Sequence, residues 1–169
     1  MSVALTLLVL RVALGLIVAA HGSQKLFGWF GGGGFARTGE FMAKQGFRPA
    51  WLWALLGGLG EFGGGVLLAV GLLSPLAGAA VFATMLMAVL KFHWSKGFWS
   101  MKGGYEYPLV LAILGALLVL TGPGTYSLDA LFGFALATPL VWIVLVLAAL
   151  VVLIGIATSR QVAAKQATA

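Results

Sequence analysis

The sequence contains no cysteine. This absence excludes disulfide bridges, a thiolate nucleophile, an iron–sulfur cluster held by Cys, and a dithiol redox relay. Any redox chemistry in this chain must therefore use a bound cofactor or substrate.

Charged side chains are also scarce. They make up 8% of the 169 residues, whereas soluble domains carry about 25%. Hydrophobic residues make up 62%, more than a soluble core of this size could bury, so lipid must cover the remainder. The composition therefore predicts an integral membrane protein, and the length suits one compact bundle.

Five apolar stretches predict an all-α, integral membrane helical bundle. Most of them approach the ~20 residues that cross a ~30 Å hydrocarbon core, and the fourth is the shortest. The stretches are Val3–Ala20, Trp51–Leu73, Leu76–Trp94, Tyr107–Leu120 and Pro139–Thr158.

The basic residues predict the orientation of the bundle. Nine of the ten Lys and Arg residues lie after the first stretch, at or after the end of the third stretch, or in the C-terminal tail. The connections 71–75 and 121–138 contain none. By the positive-inside rule, we expect a multi-pass protein of the cell inner membrane, with its N-terminus outside and its C-terminus cytoplasmic. The net charge of +6 is then explained by the orientation of the protein in the membrane and by contact with anionic lipid head groups. No nucleic-acid partner is expected.

The second stretch is rich in glycine. Small residues let membrane helices approach closely, and Gly60 with Gly64 forms a GxxxG spacing. The preceding segment, 28–50, is too polar to span the bilayer. Within it, residues 36–45 mix Phe41 and Met42 with charges, which is typical of a short helix at the membrane interface.

Two charged residues lie deep inside the predicted spans. Counting from the nearest predicted cytoplasmic end puts both Arg11 and Glu61 about 15 Å deep. Because such residues are costly in lipid, we predict that they pair. The pair could lock the helix register alone, or one or both residues could line a polar pocket or a proton route.

A second polar group is predicted at the cytoplasmic ends of the helices. Histidine transfers protons near neutral pH, and lysine can neutralise an anionic or reduced substrate. No tight metal-binding motif is present, so no metal is expected. The candidate residues are His21, Lys25, His93 and Glu106, with Trp53 and Trp94 as candidates for an aromatic pocket.

An ordered set of short motifs resembles the DoxX family of small membrane proteins. The motifs are RVALG at 11–15, HGSQKL at 21–26, EFGGG at 61–65, HWSKGF at 93–98, and Glu106 at the start of the next span. This resemblance covers about residues 5–133. It implies a four-helix core over 1–133, with an interfacial loop over 22–50. The fifth, C-terminal transmembrane helix within 134–169 is then an addition.

The resemblance also implies a function. DoxX-like proteins are described as membrane oxidoreductase subunits, some associated with thiosulfate:quinone oxidoreductase, while distant relatives act as assembly factors. The charges inside the predicted spans and the Gly-rich second stretch are also typical of a carrier, so three hypotheses stay open. The chain is a quinone-linked oxidoreductase component with a membrane or cytoplasmic redox partner, a carrier for protons or a small solute, or a non-catalytic scaffold. Whether it is itself an enzyme, and whether it forms a homo-oligomer, stay undecided by the residues.

Overall fold

The computed structural model describes residues 2–167, with side chains to residue 162, and within this part of the chain all regular structure is helical. The helices are α1 (Val3–Leu26), α2 (Gly34–Lys44), α3 (Ala50–Val70), α4 (Ser74–Met87), α5 (Glu106–Thr121), α6 (Leu128–Phe132) and α7 (Thr138–Ala167). A π-helical segment, Ala88–His93, continues α4, and short 3-10 turns follow it. The predicted all-α membrane bundle is confirmed.

Four of the described helical segments are long and apolar enough to cross a bilayer. They are Val3–Leu26, Ala50–Val70, Ser74–Lys96 and Thr138–Val162. The fourth predicted stretch forms α5, whose 16 residues extend only about 24 Å. Residues 36–45, predicted as a short helix, lie largely within α2.

Glycine decides how closely α1 and α3 approach each other. A Cβ atom on Gly65 would lie 2.6 Å from the backbone nitrogen of Ala19, and one on Gly22 would overlap the backbone of Phe62. Backbone therefore meets backbone along this helix pair, as expected of membrane helices that pack through small residues. The predicted GxxxG pair faces the other neighbour, since Gly60 meets Thr84 and Gly64 meets Ala80 on α4.

Helix α4 lies at the centre of the second half of the bundle, where it packs against α3, α5 and α7. Gly78 and Gly115 allow close contact between α4 and α5. Helix α7 packs mainly on α4, and Gly155 lies against the indole ring of Trp53. Most large side chains on the outer face of α7 are exposed, as suits a helix with one side in lipid.

Candidate functional site

Arg11 does not pair with Glu61, so that prediction is wrong. Its side chain is 2% exposed, and its guanidinium donates hydrogen bonds to backbone carbonyls at the C-terminal end of α3 and before α6. Nη1 lies 2.7 Å from the carbonyl oxygen of Ala69, and Nη2 binds the carbonyl of Tyr126.

The depth predicted for Arg11 was wrong because the first helix is longer than its apolar stretch. The apolar stretch ends at Ala20, but α1 continues as a helix to Leu26 through polar residues. Glu61 lies level with Gly22, because Gly22 packs against the backbone at 61–62. Arg11 is about 16 Å along the axis from Gly22, so the two charges lie at different depths.

Asp129 was not among the predicted site residues, but its charge lies close enough to act on Arg11. Its buried carboxylate accepts hydrogen bonds from the backbone nitrogens of Leu73 at 2.7 Å and Ser74 at 2.8 Å. The carboxylate thus caps the first turn of α4 and holds Leu73 in a left-handed conformation, with φ of 49°. The available signal was that Asp129 is one of only four acidic residues in the chain.

Arg11 and Asp129 together therefore form a clamp that joins α1, the α3–α4 turn and α6. Most of their polar atoms are engaged by backbone groups rather than directed toward a cavity. This arrangement favours the structural reading of Arg11, in which the charge holds helices in place.

Glu61 has a different environment and a different partner. It is 2% exposed, and its Oε1 accepts a hydrogen bond from Lys25 Nζ at 2.5 Å. Its second oxygen, Oε2, has no hydrogen-bond partner among the described residues. The backbone carbonyl of Lys25 in turn accepts from Thr38 Oγ1 at 3.0 Å, which ties α2 to this end of α1.

The Glu61–Lys25 pair lines a large apolar groove. The groove has a volume of about 540 Å³ and is walled by α3, α4 and α7. Along α3 the groove extends from Trp53 to Leu67, a distance of about 21 Å. Among the described residues that line the groove, Lys25 and Glu61 are the charged ones, and the others are almost entirely apolar.

The small size of glycine and alanine leaves the space that forms the groove. Gly57, Gly60, Gly63 and Gly64 face it from α3, and Ala77, Ala80 and Ala83 face it from α4. A Cβ atom at Gly63 would meet no atom within 4 Å. Leu56 and Leu59 at the rim are about half exposed, so the groove opens on the outer surface of the bundle.

The sequence model of the DoxX family matches residues 6–94, slightly more than half of the chain. The chain belongs to the DoxX family. The matched region contains Arg11, Lys25 and Glu61, together with most of the groove. Glu106 and Asp129, as well as α5 to α7, lie beyond it. No curated protein and no solved structure matches the chain.

The other polar candidates in this DoxX protein have separate partners. His21 Nε2 lies 3.3 Å from the hydroxyl of Tyr107, and His93 Nδ1 lies 2.7 Å from the carbonyl oxygen of Gly103. Glu106 Oε1 accepts from the backbone nitrogen of Ser100 at 2.8 Å. Among the side chains that the structure describes, up to residue 162, no three His, Asp or Glu are placed to hold a metal ion.

The two tryptophan candidates also differ in position. Trp53 lines the groove and contacts Phe47, with ring centroids 4.9 Å apart. Trp94 instead stacks on Tyr105 at 5.0 Å and is 58% exposed. The structure thus brings Lys25, Glu61 and Trp53 to one groove, and leaves Arg11, His21, His93, Glu106 and Trp94 outside its lining.

Proposed function

We propose that this DoxX protein binds a quinone-type molecule in the groove between α3, α4 and α7, as the membrane component of a quinone-linked oxidoreductase. The observation that carries the proposal is an elongated apolar groove with an ion pair in its wall, formed by the buried Glu61 and by Lys25, which is 35% exposed. A ring with an isoprenoid tail has the same division into a polar head and a long apolar chain.

The dimensions of the groove support this ligand class. Its volume lies within the range of small-molecule sites, about 300–1,000 Å³. Its opening toward lipid gives a membrane-dissolved molecule a lateral route into the site. Since the chain has no cysteine, electrons would pass to or from a partner redox protein, and this chain's own residues would hold and orient the ligand.

Binding of a benzoquinone with a decyl tail to protein in nanodiscs tests the proposal. We expect saturable binding to the wild type and its loss in Gly63→Leu, because the new side chain enters open space within the groove. Val66→Leu is the matched control, since Val66 lies on the same helix, is 41% exposed and is not part of the lining.

Three results would count against the proposal. The first is the absence of saturable binding by folded wild-type protein. The second is unchanged binding in a folded Gly63→Leu variant, which would place the ligand elsewhere. Equal losses in Gly63→Leu and Val66→Leu would show that the bundle responds to added volume anywhere on α3, and would also contradict a specific groove.

A further inference from the structure

Two basic residues meet where α7 passes the end of α4. Lys91 belongs to the π-helical continuation of α4, and Arg160 belongs to α7. We propose that they form a binding site for one anionic phospholipid, whose phosphate group lies between the Lys91 ammonium and the Arg160 guanidinium. Neither residue belongs to the lining of the groove, so this site does not rest on the proposed function.

The packing of α4 and α7 brings the two residues together. The helices run parallel, since a buried cluster joins their N-terminal halves, and further along a Cβ on Gly155 would lie 3.1 Å from Met87 Cε. Lys91 follows Met87 by four residues and Arg160 follows Gly155 by five, which is about one helical turn in each case. The two basic side chains therefore lie at the same level of the bundle.

The two cations form a concentration of positive charge. The charge of Arg160 lies close enough to act on Lys91. Among the described residues, neither of them forms an ion pair with an acidic side chain. Like charges held near each other repel, whereas an anion between them is attracted by both and can accept a charge-assisted hydrogen bond from each.

A ligand can reach both cations. Arg160 is exposed, and Lys91 is partly exposed. The ammonium of Lys91 lies 5.6 Å from the centroid of the Phe47 ring, so the face of the ring attracts the cation and restricts the positions of this side chain. Such restriction lowers the entropy that the side chain loses when it binds an anion.

The surface of α7 favours a lipid as the source of the phosphate. Val146, Leu153 and Arg160 recur every seven residues, so they lie along one face of the helix. The two apolar residues are more than half exposed, and Arg160 ends the row. An acyl chain can lie along this apolar face with its phosphate at the cation, as anionic head groups do at basic pockets between transmembrane helices.

Native mass spectrometry of the detergent-solubilised chain tests the site, with phosphatidylglycerol as the probe and phosphatidylcholine as the comparison. We expect one phosphatidylglycerol to bind with saturation and more tightly than phosphatidylcholine. Lys91→Gln and Arg160→Gln should each weaken its binding roughly tenfold, the lower end of the range for a hydrogen bond to a charged group. Lys102→Gln is the matched control, because it removes the same charge from an exposed residue between α4 and α5.

The double variant tests whether both residues hold one phosphate. In that case the second substitution should cost less than the first, because the partners of one ligand are coupled. Losses that simply add would show two independent surface charges and contradict the site.

Three further results would overturn the proposal. Equal affinity of the wild type for the two lipids would do so without any variant. Equal losses in Lys91→Gln and Lys102→Gln would show that binding follows the net charge of the protein. Inorganic phosphate that binds as tightly as phosphatidylglycerol would show a site for a soluble anion. A failure of quinone binding would contradict the proposed function and leave all these measurements unchanged.

Discussion

At the scale of single residues, the two buried charges of the membrane region have different tasks. Arg11 binds main-chain carbonyls at the C-terminal end of α3 and before α6, while Glu61 forms an ion pair with Lys25 in the wall of the groove. A charge engaged by backbone groups holds helices together, whereas an ion pair in the wall of a groove can also orient a bound ligand. The two residues should therefore respond differently to substitution.

Replacing Arg11 with Leu should destabilise the fold. The change removes the hydrogen bonds to Ala69 and Tyr126 and leaves Asp129 without its positive neighbour. We expect a loss of about 2–4 kcal/mol, measured as a lower midpoint of thermal unfolding in detergent. Val9→Leu is the control, because Val9 lies on the same helix and is 57% exposed. An unfolding midpoint equal to that of the control would refute the clamp.

At the scale of secondary-structure elements, α7 forms part of the groove wall. Val151 and Val152 line the groove, and Gly155 allows α7 to lie against Trp53. The helix follows the region matched by the family model, so this wall comes from a part of the chain that the match does not cover. We infer that α7 contributes to ligand retention.

Gly155→Leu tests this role of α7. Its Cβ would overlap the Trp53 ring, so α7 must shift away from α3 and widen the groove. We expect faster dissociation and weaker affinity for the tailed quinone, with the protein still folded because α1, α3 and α4 keep their contacts. The control Ile154→Leu changes a neighbouring side chain that is 60% exposed. Equal dissociation rates for both variants would exclude α7 from retention.

At the scale of the whole molecule, the distribution of charge remains the basis of the predicted orientation. Apart from Arg11, the basic residues lie between α1 and α3, at or after the end of α4, and near the C-terminus, while the α3–α4 turn and the connection from α5 to α7 contain no Lys or Arg. Helix α5 matters to the orientation, since its 16 residues make it shorter than a full span. A bundle in which α5 crosses the membrane has its termini on opposite sides.

Single-cysteine labelling can measure the orientation, since the chain has no cysteine of its own. We expect a membrane-impermeant maleimide to label Thr125→Cys in intact spheroplasts, and Met101→Cys only after the membrane is permeabilised. Both positions are exposed at opposite ends of α5. The reverse pattern would invert the predicted topology, and labelling of both positions from outside would show that α5 does not span the membrane.

The sequence by itself determined the fold class and the family. Hydropathy is a property of a continuous stretch of sequence, so a long apolar stretch indicates a membrane helix whatever packs against it. The ordered motifs from Arg11 to Glu61 are likewise recognisable in the sequence alone. The polar candidates Lys25, Glu61 and Trp53 were also visible in the sequence. What it could not supply was which candidates share a site.

Tertiary structure alone decided the partners of the buried charges. A pairing depends on where each helix ends and how neighbouring helices are aligned, and α1 extends through polar residues that hydropathy excludes from the membrane. Asp129 shows the same limit, since its role as the cap of α4 comes from a contact over a separation of 55 residues. The groove likewise arises where three helices meet, because glycine and alanine leave space that only packed neighbours can enclose.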